Sequence, residues 1–179
     1  MEEDKICVGS GKIPGYSYYK EVKEYHLRNG ILHRDEADLP AVIQSNGTQE
    51  WWVNGERYRR DDRPSIVDND GDQWWYTGRK LSRETRDKNG DLLPANVDAD
   101  GRKEWWRDGI RYRDQDLPNV IGSDGTQEWR VEDYLHRDTL DTAGETLPAL
   151  IRADGSREWW RNGIFERECF MYFPPNSHV

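Results

Sequence analysis

From about residue 24 to residue 167 the chain alternates short apolar clusters with turn residues, and the clusters repeat. A repeat is read before any single element, because it fixes the architecture. The most regular clusters are EWWVNGERYR (50–59), EWWRDGIRYR (104–113) and EWWRNGIFER (158–167), whose starts lie 54 residues apart. Weaker copies, QWWYTGRKLS (73–82) and EWRVEDYLHR (128–137), fall between them, and YHLRNGILHR (25–34) precedes them. In this alignment the leading Trp residues are Trp51, Trp74, Trp105, Trp129 and Trp159, with steps of 23, 31, 24 and 30. A unit of about 24 residues thus alternates with one about six longer, the excess lying at ETRDKNGD (84–91) and TLDTAGE (139–145).

The second half of each unit repeats as well, from LPAVIQSNGTQ (39–49) to LPALIRADGSR (147–157). Asn-Gly or Asp-Gly occurs ten times. Such dipeptides supply the positive φ angles that a two-residue hairpin needs. Two turns per unit between short apolar runs predict an antiparallel meander, with roughly ten to twelve strands of the usual length over six units. With Asn54-Gly55 at the turn centre, Val53 faces Glu56, Trp52 faces Arg57, Trp51 faces Tyr58 and Glu50 faces Arg59. The same register pairs Trp106 with Arg111, and it pairs Glu104, Glu128 and Glu158 with Arg113, Arg137 and Arg167. Cross-strand pairs of this kind are worth roughly 0.2–1 kcal/mol each. The second turn, at Asn46-Gly47 and its equivalents, is open between a two-residue form and a three-residue form with a bulge.

Adjacent strand residues point to opposite faces. Trp51, Trp74, Trp105, Trp129 and Trp159 then form one ladder, expected to be core. Trp52, Trp75, Trp106 and Trp160 form the other, beside Arg57, Lys80, Arg111 and Phe165. The expected fold is all-β, an antiparallel meander of hairpin repeats forming an elongated, twisted single-layer sheet or β-solenoid. The organisation read from the chain is an N-terminal cap segment (1–23), six hairpin repeats (24–167) and an aromatic C-terminal cap or tail (168–179).

Composition refines this picture. Leu, Ile, Val and Phe make up only about 18% of the chain and the net charge is −9, values that point towards disorder. Nine Trp and nine Tyr contradict that and imply a thin aromatic core. The acidic balance argues against a nucleic-acid partner. No apolar run suits a membrane span, so no membrane insertion is expected. The acidic start MEEDKICVGS is not a secretory signal, and two cysteines, Cys7 and Cys169, do not make a disulfide framework. An intracellular or virion setting is therefore expected.

The unit, WW-x-[ND]-G followed about twenty residues later by [ND]-G-x-x-x-W, resembles the MORN (membrane occupation and recognition nexus) repeat over residues 24–167. It is nearest to the Trp- and Arg-rich variants plentiful in giant DNA viruses and some phages. It departs from the usual pattern where an Arg and a Leu-Pro, as at Arg34 and Leu39-Pro40, replace the second glycine pair. The resemblance implies a hairpin array used for scaffolding or dimerisation, in a viral assembly setting.

No nucleophile elbow, Walker loop or zinc spacing occurs, so no enzyme activity, cofactor or metal is expected. Asp68-Asn69-Asp70-Gly71-Asp72 looks like a calcium loop but lacks the remaining ligands of an EF-hand and reads as a turn. Under the hairpin register His33 faces His26 and His136 faces Trp129, which reads as strand packing. The candidate binding residues, for protein or glycan, are Trp52, Trp75, Trp106, Trp160, Arg57, Lys80, Arg111, Phe170 and Tyr172. Trp beside Arg or Lys is a cation–π arrangement that tolerates partial exposure. The leading expectation is a structural or protein-interaction scaffold that self-associates or binds protein partners. The alternative is a carbohydrate-binding module using an exposed Trp ladder.

Overall fold

The structure, a computed structural model, describes residues 6–170. The fold is all-β: every strand pairing among the described residues is antiparallel, and no helix occurs among them. Two compact units divide the chain. One holds the residues up to Ala99 with Trp105–Ile110, the other Asp100–Glu104 with the residues from Arg111 onward. In the first, strands pair in the order Ile6–Gly11, Val22–Arg28, Val42–Gln44, Gln49–Glu50, Ile66–Val67, Gln73–Trp74 and Asn96–Val97. In the second the order is Lys103–Glu104, Val120–Ile121, Gln127–Glu128, Leu150–Ile151, Arg157–Arg161 and Ile164–Cys169. Each is the meander that the turn pattern predicts.

The strands number 22 segments, not ten to twelve, and most are two residues long. The cause lies at the leading Trp. Glu50 pairs with Val42 and Ile66 in the main sheet, but Trp52–Val53 pairs with Glu56–Arg57 in a separate two-stranded hairpin. The chain changes partners at Trp51, so one expected strand becomes two. Tyr76–Thr77 with Lys80–Leu81, and Arg130–Val131 with Tyr134–Leu135, branch off in the same way.

The first turn forms as expected at Asn54-Gly55, Asp108-Gly109 and Asn162-Gly163, each with both residues at positive φ. The second turn takes the three-residue form. Gln44 N–H donates to Thr48 O at 2.8 Å and Gly47 N–H to Gln44 O at 3.0 Å, and the pattern recurs from Asp68, Gly122 and Arg152. The acidic Asp68 loop is one of these turns. Asp68 Oδ1 accepts the amides of Asp70, Gly71 and Asp72 at 2.9–3.0 Å. The inserts build a further hairpin turn of the same type at Asp87–Asp91 and at Asp141–Glu145.

Two expectations of register are corrected. The pairs Tyr76–Leu81 and Thr77–Lys80 centre the second hairpin on Gly78-Arg79, so Trp75, not Trp74, is the counterpart of Trp51. Trp74 instead pairs with Ile66 and Asn96 in the main sheet, in the place Glu50 holds one unit earlier. The ladder is therefore Trp51, Trp75, Trp105, Trp129 and Trp159, with regular steps of 24, 30, 24 and 30. The predicted Glu50–Arg59, Glu104–Arg113, Glu128–Arg137 and Glu158–Arg167 pairs do not form either. Glu50 meets Arg57 at 3.2 Å and Arg59 meets Asp38, because the ladder breaks at Trp51 before it reaches Glu50. Glu128 is paired with Arg130 and Glu158 with Arg152, while Arg137 is paired with Asp116. In the last hairpin a bulge shifts the register, so that Trp159 faces Arg167 and Glu158 faces Glu168.

The largest apolar cluster is N-terminal. Ile13 and Tyr19 close over Val22, Tyr25, Leu27, Leu32, Ala41, Val42 and Trp52. Elsewhere burial centres on the ladder: Trp51, Trp75, Trp105 and Trp129 are all buried.

Candidate functional site

Each unit is organised around one arginine, eight residues after its leading Trp. Arg59 lies flat over the Trp51 ring, with Cζ 3.6 Å from the centroid. Its Nε and Nη2 donate to the Asp38 carboxylate at 2.9 and 2.7 Å, and its Nη1 to Pro64 O at 3.4 Å. Trp51 Nε1 donates to the Asp38 carbonyl at 2.9 Å, so one residue anchors both partners. Arg83 repeats this over Trp75 at 4.0 Å with Asp62 and Pro94, and Arg137 over Trp129 at 3.9 Å with Asp116 and Pro148. A guanidinium fork matched to a carboxylate is the strong, directional form of ion pair. Stacking on Trp adds a cation–π contribution of about 0.5–2 kcal/mol.

The aspartate depends on the connector. Asp38, Asp62 and Asp116 follow Ala37, Asp61 and Gln115, and each pair is left-handed, with φ between 48° and 59°. Aspartate tolerates that conformation better than most residues. Where the connector carries the insert, Leu92 or Thr146 takes the position. Its carbonyl still receives the Trp105 or Trp159 indole at 2.7 or 2.6 Å, but it has no carboxylate to give. Arg167 accordingly stands farther from Trp159, at 4.5 Å, and its nearest acid is Glu145 at 3.9 Å.

A buried carboxylate lies beneath the first branching hairpin. Glu50, 2% exposed, accepts from Tyr19 Oη at 2.7 Å, Gln44 Nε2 at 2.8 Å, Trp52 Nε1 at 3.1 Å and Arg57 Nε at 3.2 Å. Burial, with Glu50 beside it, pushes the Tyr19 phenol far above its ordinary value. Arg57 lies between the Trp52 and Tyr76 rings, at 4.6 and 5.0 Å, on the floor of a cleft of about 750 Å³. Tyr16, Tyr18, Ile31 and Arg79 line its walls.

The candidate residues meet different fates. Trp52 and Arg57 do come together. Trp75 belongs to the buried ladder and leaves the set, with Tyr76 taking its place. Lys80 is exposed and rests on Gly109, with its Cβ at 3.8 Å. Trp106 is half-buried. Arg111 reaches Glu104 at 3.5 Å and the Asp133 carboxylate. Trp160 is half-buried, donates to Glu158 at 2.6 Å and meets Phe165 edge-on at 5.2 Å. Phe170 is exposed, and Tyr172 lies outside the described residues.

Both cysteines are exposed and free. His33 and His136 act as turn supports: each Nδ1 accepts the first turn amide of the next hairpin, from Asn54 and Asn162, at 3.0 Å. Among the described residues no group of three His, Cys, Asp or Glu is placed to hold a metal ion. The aspartates of the clamps, Tyr76 and the cleft walls were missed in the sequence. The Arg-eight-after-Trp spacing was the signal for the clamps. No family model matches this chain, and no curated protein or solved structure matches it.

Proposed function

We propose that this chain is a non-enzymatic repeat scaffold that works by binding proteins, including itself, and that its units are of the MORN-like type, with viral assembly as the setting that type implies. One observation carries the reading. The residues that most resemble reactive or ligand-binding groups, the Arg–Asp pairs and the Trp ladder, hold one another in three copies of a single clamp. They serve architecture and leave the hairpin surfaces to meet partners. Exposed Ile31, Tyr58, Ile110, Tyr134 and Ile164 are set along those hairpins.

Burial does not favour a glycan platform on the second Trp row. Trp52 is 5% exposed and Trp75 9%, so a sugar could not stack on either ring. The scaffold reading is tested by isolating the chain from its native setting under non-denaturing conditions and weighing the complex. A complex with other proteins at fixed stoichiometry is expected. A free chain without any protein partner overturns the reading.

A further inference from the structure

We propose that the last strand, Ile164–Cys169, pairs antiparallel with the same strand of a second copy, giving a two-fold dimer. This rests on the scaffold reading and names one partner within it. The strand bonds to Arg157–Arg161 on one side, and no strand pairs with its other side among the described residues. All six of its residues are exposed, and at six residues it is long beside the two-residue segments of the array. Proteins ordinarily blunt such an edge or use it. Beside the edge lies an apolar patch. Tyr134 and Ile164 are 58% and 70% exposed and Phe165 47%, and the Tyr134 ring rests against Gly163 in the turn before Ile164. Exposed apolar surface of this kind marks a contact site.

The charge pattern selects the partner. The strand reads Ile-Phe-Glu-Arg-Glu-Cys. Full antiparallel overlap with its own copy sets Glu166 opposite Arg167 of the partner subunit, and the two-fold axis repeats the pair. A shift of one residue either way would set Glu166 against Glu166 or Arg167 against Arg167, and like charges directly opposite are destabilising. A two-fold interface requires a patch complementary to itself, and this strand is one. Arg167 is available for the role: it is half-exposed, with its nearest carboxylate 3.9 Å away.

The test is sedimentation velocity on the purified full chain and two charge variants. The wild type is expected to be a dimer. Arg167→Glu and Glu166→Arg, which each place two like-charge pairs at the interface, are expected to weaken dimerisation at least tenfold. Mixing the two variants restores opposite charges at both positions, so a heterodimer near wild-type affinity is expected from the mixture alone. Because each variant is compared with and without the other, a local effect of losing the Arg167 stack on Trp159 cannot imitate the rescue. A monomeric wild type, or variants that dimerise unchanged, or a mixture without rescue, overturns the inference. If the purified chain is monomeric while its native complex holds other proteins, the dimer fails and the scaffold reading stands.

Discussion

At the scale of the residue, the stabilising chemistry is a division of labour around one carboxylate. Asp38 receives Arg59 through its side chain and Trp51 through its carbonyl, and it is only 22% exposed. Exposed ion pairs contribute about 0–1 kcal/mol, whereas a bidentate, half-buried fork lies above that range. The Arg59 guanidinium holds the Asp38 carboxyl below its ordinary 3.8. A depressed carboxylate contributes stability that is complete above the unfolded-state value and lost as pH falls through the folded-state value. Asp38→Asn should therefore lower stability by about 1 kcal/mol at neutral pH. It should also flatten the acid limb of the stability curve. Urea midpoints of both proteins, measured from about pH 6 down to about pH 2, check this. Equal slopes on the acid limb would show that the carboxylate charge does not matter.

At the scale of the element, turn glycines do two jobs that one pair of variants can separate. Gly55 has φ +79°, and a Cβ there would sit 2.8 Å from Ile31 Cγ2 of the preceding hairpin. Gly90, in the insert, has φ +87° and nothing within 4 Å of that position. Gly90→Ala should cost only left-handed strain, about 1 kcal/mol. Gly55→Ala should cost that and the displacement of Ile31, about 2 kcal/mol in all. Thermal unfolding of both variants measures the difference, and equal losses would mean that hairpin stacking does not need the close approach.

Element type and turn position were legible, because Asn-Gly and Asp-Gly fix hairpins locally. The register of the second hairpin was not. The Trp74-Trp75 doublet offers two alignments, and Gly78-Arg79 lacks the usual Asn or Asp before its glycine. Matching Gln73-Trp74 to Glu50-Trp51 set every side chain of that hairpin one place off. The decisive distance was from Arg83 back to Trp75, which equals that from Arg59 to Trp51.

At the scale of the molecule, apolar burial is uneven. The cluster from Ile13 to Trp52 holds side chains from three strands and the segment before them, while the strand Ile164–Cys169 is exposed throughout. Opening energies follow local burial. Amide exchange should be slowest in Val22–Arg28 and Val42–Gln44 and fastest in Ile164–Cys169 at dilutions where the chain is monomeric. Protection spread evenly over both would show one cooperative unit. At higher concentration, protection gained by Ile164–Cys169 alone is what edge pairing implies.

The sequence by itself determined the all-β class, the first-turn hairpins, the unit of 24 residues with its longer alternate and the aromatic character of the core. These depend on φ preference and on the spacing of apolar residues, which act over a few neighbours. Only the tertiary structure decided where the arginines go. A cross-strand neighbour was the natural partner for Arg59 within its own hairpin. The chain instead leaves the main sheet at Trp51 and brings Asp38, 21 residues earlier, against the guanidinium. That choice is made between units, where burial of the Trp ring and desolvation of the ion pair are settled together, and no pattern within a single hairpin contains it.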